Sequence, residues 1–229
     1  YRMALALRQD HLWPEAIAGF QAAIERLAHQ PLRNEMRLDL AVTLIAAAEY
    51  ESALHELSEI GRTTTDARLL QRAQYFQGVA QLYRYNWFAA RQALAQHYGM
   101  AQTKAEIKQG RRIETLLRQG EKLSLKSERK ARLYATFVPG LGQVYGGAWK
   151  SGINALMVNG LTTFAVLHSL SAGAYVDAGL LFGLVFNRYY FGNRYHAALI
   201  ARQHNERQAR KHAGLVMHVL LPERRGLGQ

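Results

Sequence analysis

The sequence contains no cysteine and only 4 prolines in 229 residues. The absence of cysteine excludes a disulfide scaffold, a thiolate metal site and a cysteine nucleophile. The sequence also lacks a phosphate-binding loop, a nucleophile elbow, the motif His-Glu-x-x-His and paired carboxylates in apolar surroundings. We therefore predict neither an enzyme activity nor a cofactor. With 49% hydrophobic residues, the chain is long enough for one large or two small domains with a core.

Acidic residues are scarce: 17 Asp+Glu stand against 29 Lys+Arg, a formal net charge of +12. The excess lies in two blocks. Residues 1–100 and 133–177 are neutral, whereas residues 101–132 and 178–229 carry +6 each. Two basic blocks around a nearly uncharged stretch are typical of membrane-spanning segments and their flanks. A nucleic-acid-binding protein more often carries its charge on the folded module, and this function is kept as a second alternative.

The first 100 residues contain a repeat of 37 residues. The pattern aromatic-x-x-Ala occurs at Trp13, Tyr50 and Trp87, and another apolar-periodic segment precedes each copy. Each copy continues with positions spaced four and then three residues apart, which form one helix face. These faces contain Ala16, Phe20 and Ala23, then Ala53, Leu57 and Ile60, then Ala90, Leu94 and His97. Each repeat is predicted to be a helix pair that buries its apolar face only by stacking on its neighbours.

This pattern resembles the tetratricopeptide repeat family, whose second helix carries the same spacing of aromatic and alanine residues. Ala4, Ala41 and Gly78 stand where that family has its small first-helix residue. The period is longer than the 34 residues of the family, and Leu57 and His97 depart from its pattern. The resemblance is thus to a degenerate member covering about residues 1–97, and a generic bundle of α-hairpins is the alternative.

The resemblance implies that the array binds a protein partner in a groove lined by its first helices. The residues expected there are Arg2, Arg37, Arg72, Tyr83 and Arg84. For each of them a solvated helix face is the alternative. The chain begins within the first helix of the first repeat, so a signal peptide or further repeats are expected upstream of Tyr1.

Residues 101–133 are predicted to form a basic linker of one or two amphipathic helices, with sparse apolar residues at intervals of three and four. Such helices can lie against anionic lipid headgroups. No aromatic residue lies between Ala101 and Leu133 to stack on bases, which favours a lipid surface or an acidic protein over nucleic acid.

Residues 134–192 are predicted to form a two-span membrane hairpin. Ile153–Leu170 contains 18 residues without a formal charge, about 27 Å of helix, and Ala174–Phe191 follows after a turn at Ser171–Gly173. A buried hairpin of a soluble protein is the alternative. Polar residues of the first span are expected to bond across the helix pair or to a partner subunit, namely Asn154, Asn159, Thr163 and His168. A transport path through Asn159, His168 or Asp177 would require oligomerisation or a partner.

The run Pro139-Gly140-Leu141-Gly142-Gln143-x-Tyr145 stands directly before the hairpin. It looks like the Pro-Gly-Leu-Gly-Gln-x-Tyr motif of small bacterial membrane proteins related to the TM2-type hairpin family. This resemblance implies membrane residence and little about activity. Physically, Pro139, Gly140 and Gly142 are expected to form a tight turn at the membrane interface. Gln143 and Tyr145 would then satisfy its backbone where water is scarce.

Residues 193–229 form a basic tail. His196, His204 and His212 recur every 8 residues, which does not place them on one helix face, so a metal site is not predicted. Leu215–Leu221 is a short apolar segment that is expected to pack on a partner protein or a membrane surface.

These patterns predict an all-α protein, with degenerate repeats in residues 1–100 and a transmembrane helical hairpin. The predicted function is a membrane-anchored adaptor or scaffold of the bacterial inner membrane, which binds a protein partner and docks it at a membrane complex. The predicted partners are proteins, bound by the repeats and the hairpin in a hetero-oligomer, and a lipid bilayer with anionic headgroups. The first alternative is a structural or transport-associated subunit of a larger membrane complex. Both basic flanks, and with them the repeats, are expected in the cytoplasm by the positive-inside rule. A signal peptide before Tyr1 would place the repeats in the periplasm.

Overall fold

The computed structural model describes residues 1–27 and 30–221. Every regular element within these ranges is helical, which confirms the predicted all-α class. The chain divides into two compact units. The first contains Tyr1–Lys122 and the end of the last helix from Lys211, and the second contains Leu123–Arg210.

The helices of the first unit alternate with short turns. They are α1 (Arg2–Gln9), α2 (Trp13–Glu25), α3 (Gln30–Ala46), α4 (Tyr50–Thr63), α5 (Ala67–Tyr83), α6 (Trp87–Gly99) and α7 (Lys104–Glu121). The second unit contains α8 (Glu128–Phe137), α9 (Leu141–Gly146), α10 (Trp149–Ser171), α11 (Tyr175–Leu180), a π-helical segment (Leu181–Phe186) and most of α12 (Asn187–Leu220).

The first six helices form three pairs with a period of 37 residues. The second helix of each pair begins at the predicted aromatic residue, that is at Trp13, Tyr50 and Trp87. Two residues before each of these helices the backbone adopts the left-handed conformation, with φ of 60°, 62° and 57° at His11, Ala48 and Tyr85. The period therefore appears in the backbone as well as in the sequence.

Small residues allow the paired helices to approach closely. Ala16, Ala53 and Ala90, the alanines of the repeated pattern, are fully buried. At Gly78 of α5, an added methyl group would lie 2.7 Å from Cδ2 of Leu94 in α6, closer than two carbon atoms can approach. The residue of α5 that faces Leu94 of α6 must therefore have little or no side chain.

Helix α7 covers the last pair and closes the array. A capping box begins it: Oγ1 of Thr103 accepts from the Glu106 amide at 3.2 Å, and the Glu106 carboxylate accepts from the Thr103 amide at 3.1 Å. Ile113 and Leu117 are buried, and Gly120 lies against the ring of Trp87. The apolar face that the sequence places on lipid is thus occupied by α6.

The end of α12 also packs within the first unit. Val216 and Leu220 are buried, and Nε2 of Gln109 donates to the carbonyl oxygen of Val219 at 2.7 Å. Nε2 of His212 lies 2.7 Å from the carbonyl oxygen of Leu116. The apolar segment Leu215–Leu221 therefore has its packing surface in its own chain, where the sequence indicated a partner protein or a membrane.

In the second unit the core between α8 and α12 is built from alanine. Ala131 and Ala135 of α8 and Ala197 and Ala201 of α12 are 4% exposed or less, and Tyr145 of α9 packs against them. Such small side chains bring the helix backbones close together, as in helix packing within membranes.

One helix among the described residues, α10, is long and apolar enough to cross a membrane. The predicted second span is divided among α11, the π-helical segment and the first turn of α12, which begins with Asn187-Arg188. A multi-pass protein is therefore not supported by the length and composition of single helices. The polar start of α12 and the shortness of α11 account for the difference.

Candidate membrane hairpin and its polar cleft

The hairpin of the second unit exposes a large apolar surface. Only 11% of the most apolar 18-residue window of α10 is buried. On α10 and on the arm that follows it (residues 174–191), thirteen large apolar or aromatic side chains are each more than half exposed: Trp149, Leu156, Met157, Leu161, Phe164, Leu167, Tyr175, Val176, Leu180, Phe182, Leu184, Tyr189 and Phe191. Apolar exposure of this extent on one hairpin is typical of a surface that contacts a membrane or another protein.

The glycine-rich run before the hairpin is a packing centre. Gly140 directly precedes α9 and has φ of 100°, a conformation that favours glycine, and Pro139 lies in the same turn. Gly142 and Gly146 are buried against α12: added methyl groups would lie 2.7 Å from Cβ of Ala197 and 3.3 Å from Cβ of Ile200. The glycines therefore bring α9 against α12, in addition to forming a turn.

Two polar side chains of the same run tie α9 to its neighbours. Nε2 of Gln143 donates to the side-chain oxygen of Asn193 and, at 3.3 Å, to its carbonyl oxygen. The Tyr145 hydroxyl accepts from the amide of Ser127 at 3.1 Å, and the Tyr145 carbonyl accepts from Nζ of Lys126 at 2.6 Å. These side chains satisfy groups on α12 and at the start of α8, rather than the backbone of their own turn.

The polar residues of α10 bond mostly to their own helix. Nδ2 of Asn159 donates to the carbonyl oxygen of Ala155 at 2.8 Å, and Oγ1 of Thr163 donates to the carbonyl oxygen of Asn159 at 2.8 Å. His168 is exposed and stacks on Phe164 with ring centroids 6.1 Å apart. Of the four residues predicted to pack within the hairpin, only Asn159 is buried.

A polar cleft of about 500 Å³ lies between the start of α10 and the start of α12. Its polar lining comes from Gln143, Ser151, Asn154, Asn159, Arg188, Asn193 and His196. None of the lining residues is acidic. The cleft thus combines amide groups, a hydroxyl and a guanidinium without a carboxylate to balance the charge.

Three amide side chains of the cleft are less than one-tenth exposed and have an atom without a hydrogen-bond partner in the described part of the chain. These atoms are Oε1 of Gln143, Oδ1 of Asn159 and Nδ2 of Asn193. A buried polar atom without a partner destabilises a fold by about 1–3 kcal/mol. Three of them around one cleft make it a candidate site for a ligand or ordered water that supplies the missing partners.

Aromatic rings follow the second arm toward the cleft. Phe182 and Phe186 stack at a centroid distance of 5.3 Å, and Phe186 and Tyr190 at 5.6 Å. The Tyr190 hydroxyl donates to the carbonyl oxygen of Thr136 in α8 at 2.9 Å. Two of these rings belong to the π-helical segment, and such segments occur frequently at functional sites.

A cationic group of side chains lies beside α9. Burial lowers the pKa of His204, and the neighbouring charges of Lys126 and Arg207 lower it further. The ring is therefore neutral at neutral pH, while Lys126 holds the Tyr145 carbonyl. Lys126 and Arg207 thus belong to the two basic blocks that flank the hairpin in the sequence.

In the array, three of the predicted groove arginines form ion pairs between helices. Arg37 pairs with Glu56 of α4 at 3.3 Å, Arg72 pairs with Glu35 of α3 at 2.9 Å, and Arg84 pairs with Glu51 of α4. The pair of Arg37 joins α3 to α4, the pair of Arg84 joins the end of α5 to α4, and the pair of Arg72 joins α5 to α3.

The two other predicted groove residues differ from these arginines. Tyr83 stacks on Tyr50 with ring centroids 5.4 Å apart and remains 44% exposed. Arg2 is exposed on α1. That the five residues line one groove stays a prediction.

A groove of about 350 Å³ that sequence reasoning missed lies between α4, α5 and α6. Four glutamines line it: Gln77, Gln81, Gln92 and Gln96. The two glutamines of α5 stand four residues apart, as do the two of α6, so each pair shares a helix face. This spacing is the signal in the sequence that could have identified them. Glutamine amides both donate and accept hydrogen bonds, as a peptide backbone does.

Comparison with known protein families, with curated proteins and with solved structures gives no match to this chain.

Proposed function

We propose that this chain is a membrane-anchored adaptor, whose helix pairs bind a protein partner and whose hairpin holds that partner at the membrane. The observation that carries the proposal is the exposed apolar surface of α10 and of the arm that follows it. Exposing side chains such as Leu161, Phe164 and Val176 to water is unfavourable, whereas in lipid it has no such cost.

The hairpin arms would enter the membrane together, with the turn at Ser171–Gly173 on the far side. The two basic blocks then lie on the same side as the start of α10, in agreement with the positive-inside rule. In a bacterial inner membrane this side is the cytoplasm, and the array would lie there.

The glutamine groove is the proposed site for the partner. It offers uncharged donors and acceptors, of which Gln92 and Gln96 are exposed. An extended or helical peptide with unpaired backbone groups fits this chemistry better than a strongly charged ligand does. The ion pair of Arg84 with Glu51 joins the end of α5 to α4, two of the helices that line the groove.

Labelling of single cysteines tests the anchoring, because the native chain has none. Ala18→Cys, Ser171→Cys and Gln208→Cys are exposed positions in the array, in the hairpin turn and in α12. With an impermeant thiol reagent on intact cells, we expect labelling of Ser171→Cys alone. Labelling of Ala18→Cys with protection of Ser171→Cys would reverse the orientation, and release of the protein by alkaline carbonate would refute the anchor.

The partner site is tested by affinity capture with the detergent-solubilised full chain. We expect Gln77→Ala/Gln92→Ala to lose the proteins that the native chain captures. Gln21→Ala, which alters an exposed glutamine of α2 outside the groove, should retain them. Equal capture by the groove variant and the control would refute this site.

A structural or transport-associated subunit is the second candidate, and the polar cleft in the hairpin favours it. In that case Asn154→Leu and Asn159→Leu would abolish co-purification with neighbouring membrane proteins, and a chain with altered groove glutamines would still co-purify. The two candidates therefore make opposite predictions for the same capture experiment.

A further inference from the structure

The polar cleft lies at the end of the hairpin that is remote from its turn. Ser151 is in the first turn of α10 and Arg188 is in the first turn of α12, whereas Ser171 ends α10. Ser171 follows Ser151 by 20 residues, which corresponds to about 30 Å along the helix. That length equals the hydrocarbon thickness of a bilayer, so the cleft opens at the level of the headgroups if the hairpin spans the membrane.

The charge of the cleft selects an anion. Arg188 contributes a guanidinium, which binds phosphate through parallel N–H groups. Ser151 and Asn154 add donors from the facing helix, and no acidic side chain lines the cleft. A phosphodiester fits between these groups better than a cation or a neutral amide would.

The buried amides determine, through their unpaired hydrogen-bonding atoms, which group attached to the phosphate fits the cleft. Oε1 of Gln143 and Oδ1 of Asn159 are acceptors without a donor, and Nδ2 of Asn193 is a donor without an acceptor, within the residues that the structure describes. A headgroup with hydroxyl groups can satisfy all three, because a hydroxyl both donates and accepts. A choline headgroup has no such hydrogen and would leave the two oxygens unpaired.

We propose that the cleft binds the headgroup of a phosphatidylglycerol-type anionic phospholipid. Arg188 holds the phosphodiester, and the buried amides of Gln143, Asn159 and Asn193 hold the glycerol hydroxyls. The acyl chains lie along the exposed apolar surface of α10. This site rests on the proposed membrane position of the hairpin, and it adds a specific lipid to that function.

The test is native mass spectrometry of the full chain in detergent, titrated in parallel with phosphatidylglycerol and phosphatidylcholine. We expect one bound phosphatidylglycerol with at least a tenfold preference over phosphatidylcholine. Arg188→Gln should reduce binding at least tenfold, and Asn159→Leu should remove the preference for the glycerol headgroup. Equal binding of the two lipids would overturn the proposal.

A matched control separates the site from general attraction to a basic protein. Arg210→Gln removes one exposed arginine from the same helix outside the cleft, so it should bind phosphatidylglycerol as the native chain does. Equal losses in Arg188→Gln and Arg210→Gln would show diffuse electrostatics and overturn the site. Circular dichroism checks the fold of each variant. Should Asn159→Leu fail to fold, the exposed Arg188→Gln decides the test.

Free glycerol phosphate distinguishes a lipid from a soluble phosphate ester. If free glycerol phosphate binds and added lipid does not displace it, the lipid assignment is overturned. If only phosphatidylglycerol displaces it, the lipid assignment is supported. Alkaline carbonate extraction of the same cells tests the anchor separately. Equal binding of both lipids by a protein that resists extraction would refute only the lipid site. Extraction of the protein by alkaline carbonate would refute the proposed function.

Discussion

Gly142 of α9 lies against the carbonyl oxygen of Ala131 in α8, so that a methyl group at Gly142 would overlap that oxygen. The same methyl group would lie 2.7 Å from Cβ of Ala197 and 2.9 Å from Cβ of Ala135. Three helices therefore meet at one glycine, and an atom of the peptide backbone cannot rotate away as a side chain can. The glycine-rich run thus determines how the base of the hairpin is packed.

Replacing Gly142 by alanine should destabilise the protein by about 1–3 kcal/mol, the usual cost of an overpacked core. The measurement is the thermal midpoint of the full chain in detergent. Gly160→Ala is the matched control, because nothing lies within 4 Å of a methyl group at Gly160 on α10. A Gly142→Ala midpoint equal to that of the control would contradict the packing described for α9.

Gly78 and Gly61 should respond to alanine in opposite directions. At Gly78 the methyl group meets Leu94 at 2.7 Å, so the clash outweighs the better helix propensity of alanine and stability falls. At Gly61, an exposed position in α4, nothing lies within 4 Å, and stability should rise by up to about 1 kcal/mol. Urea unfolding of both variants measures the difference, and a stabilised Gly78→Ala would refute the close approach of α5 and α6.

Ala48 should tolerate glycine better than a helical alanine does. Its φ of 62° is unfavourable for a residue with Cβ and is readily adopted by glycine. We expect Ala48→Gly to raise the free energy of unfolding by up to about 1 kcal/mol. Ala46→Gly, at the exposed last residue of α3, should lower it. Destabilisation of similar size in both variants would be incompatible with a left-handed turn at Ala48.

Alkaline pH should weaken the array through Tyr98. Burial raises the pKa of Tyr98 to about 12, so the folded state disfavours the charged phenolate. The stability from this group is complete below the unfolded pKa of about 10 and is lost as pH rises through 12. Tyr98→Phe should therefore lose less stability than the native chain between pH 9 and pH 11, as judged by urea midpoints. Identical losses would show that other groups control the alkaline transition.

The helix pairs could be predicted from the sequence because their pattern is local. An aromatic residue followed by a buried alanine recurs at a constant interval, and Trp13, Tyr50 and Trp87 are also the first residues of their helices. A face defined by spacings of three and four residues depends only on helix geometry. The same holds for the exposed apolar residues of α10.

Contacts between distant segments could not be predicted in this way. The ion pair of Arg72 with Glu35 joins residues 37 positions apart, and the hydrogen bond from Gln109 to the Val219 carbonyl joins residues 110 positions apart. The second arm shows a further limit. Its composition indicated a span, but the π-helical segment and the polar residues from Asn187 interrupt it, and hydrogen-bond register is not visible in composition.

The left-handed turns at His11, Ala48 and Tyr85 recur every 37 residues, so whole repeats can be removed or inserted between them. Removal of residues 49–85 would join Ala48 to Asn86, so that α3 would be followed by the turn and helix that now follow α5. Duplication of the same 37 residues would insert one more helix pair without a change of register. A gene encoding such an array can therefore lengthen or shorten the array by recombination between turns, and every product keeps a complete helix pair on each side of the junction.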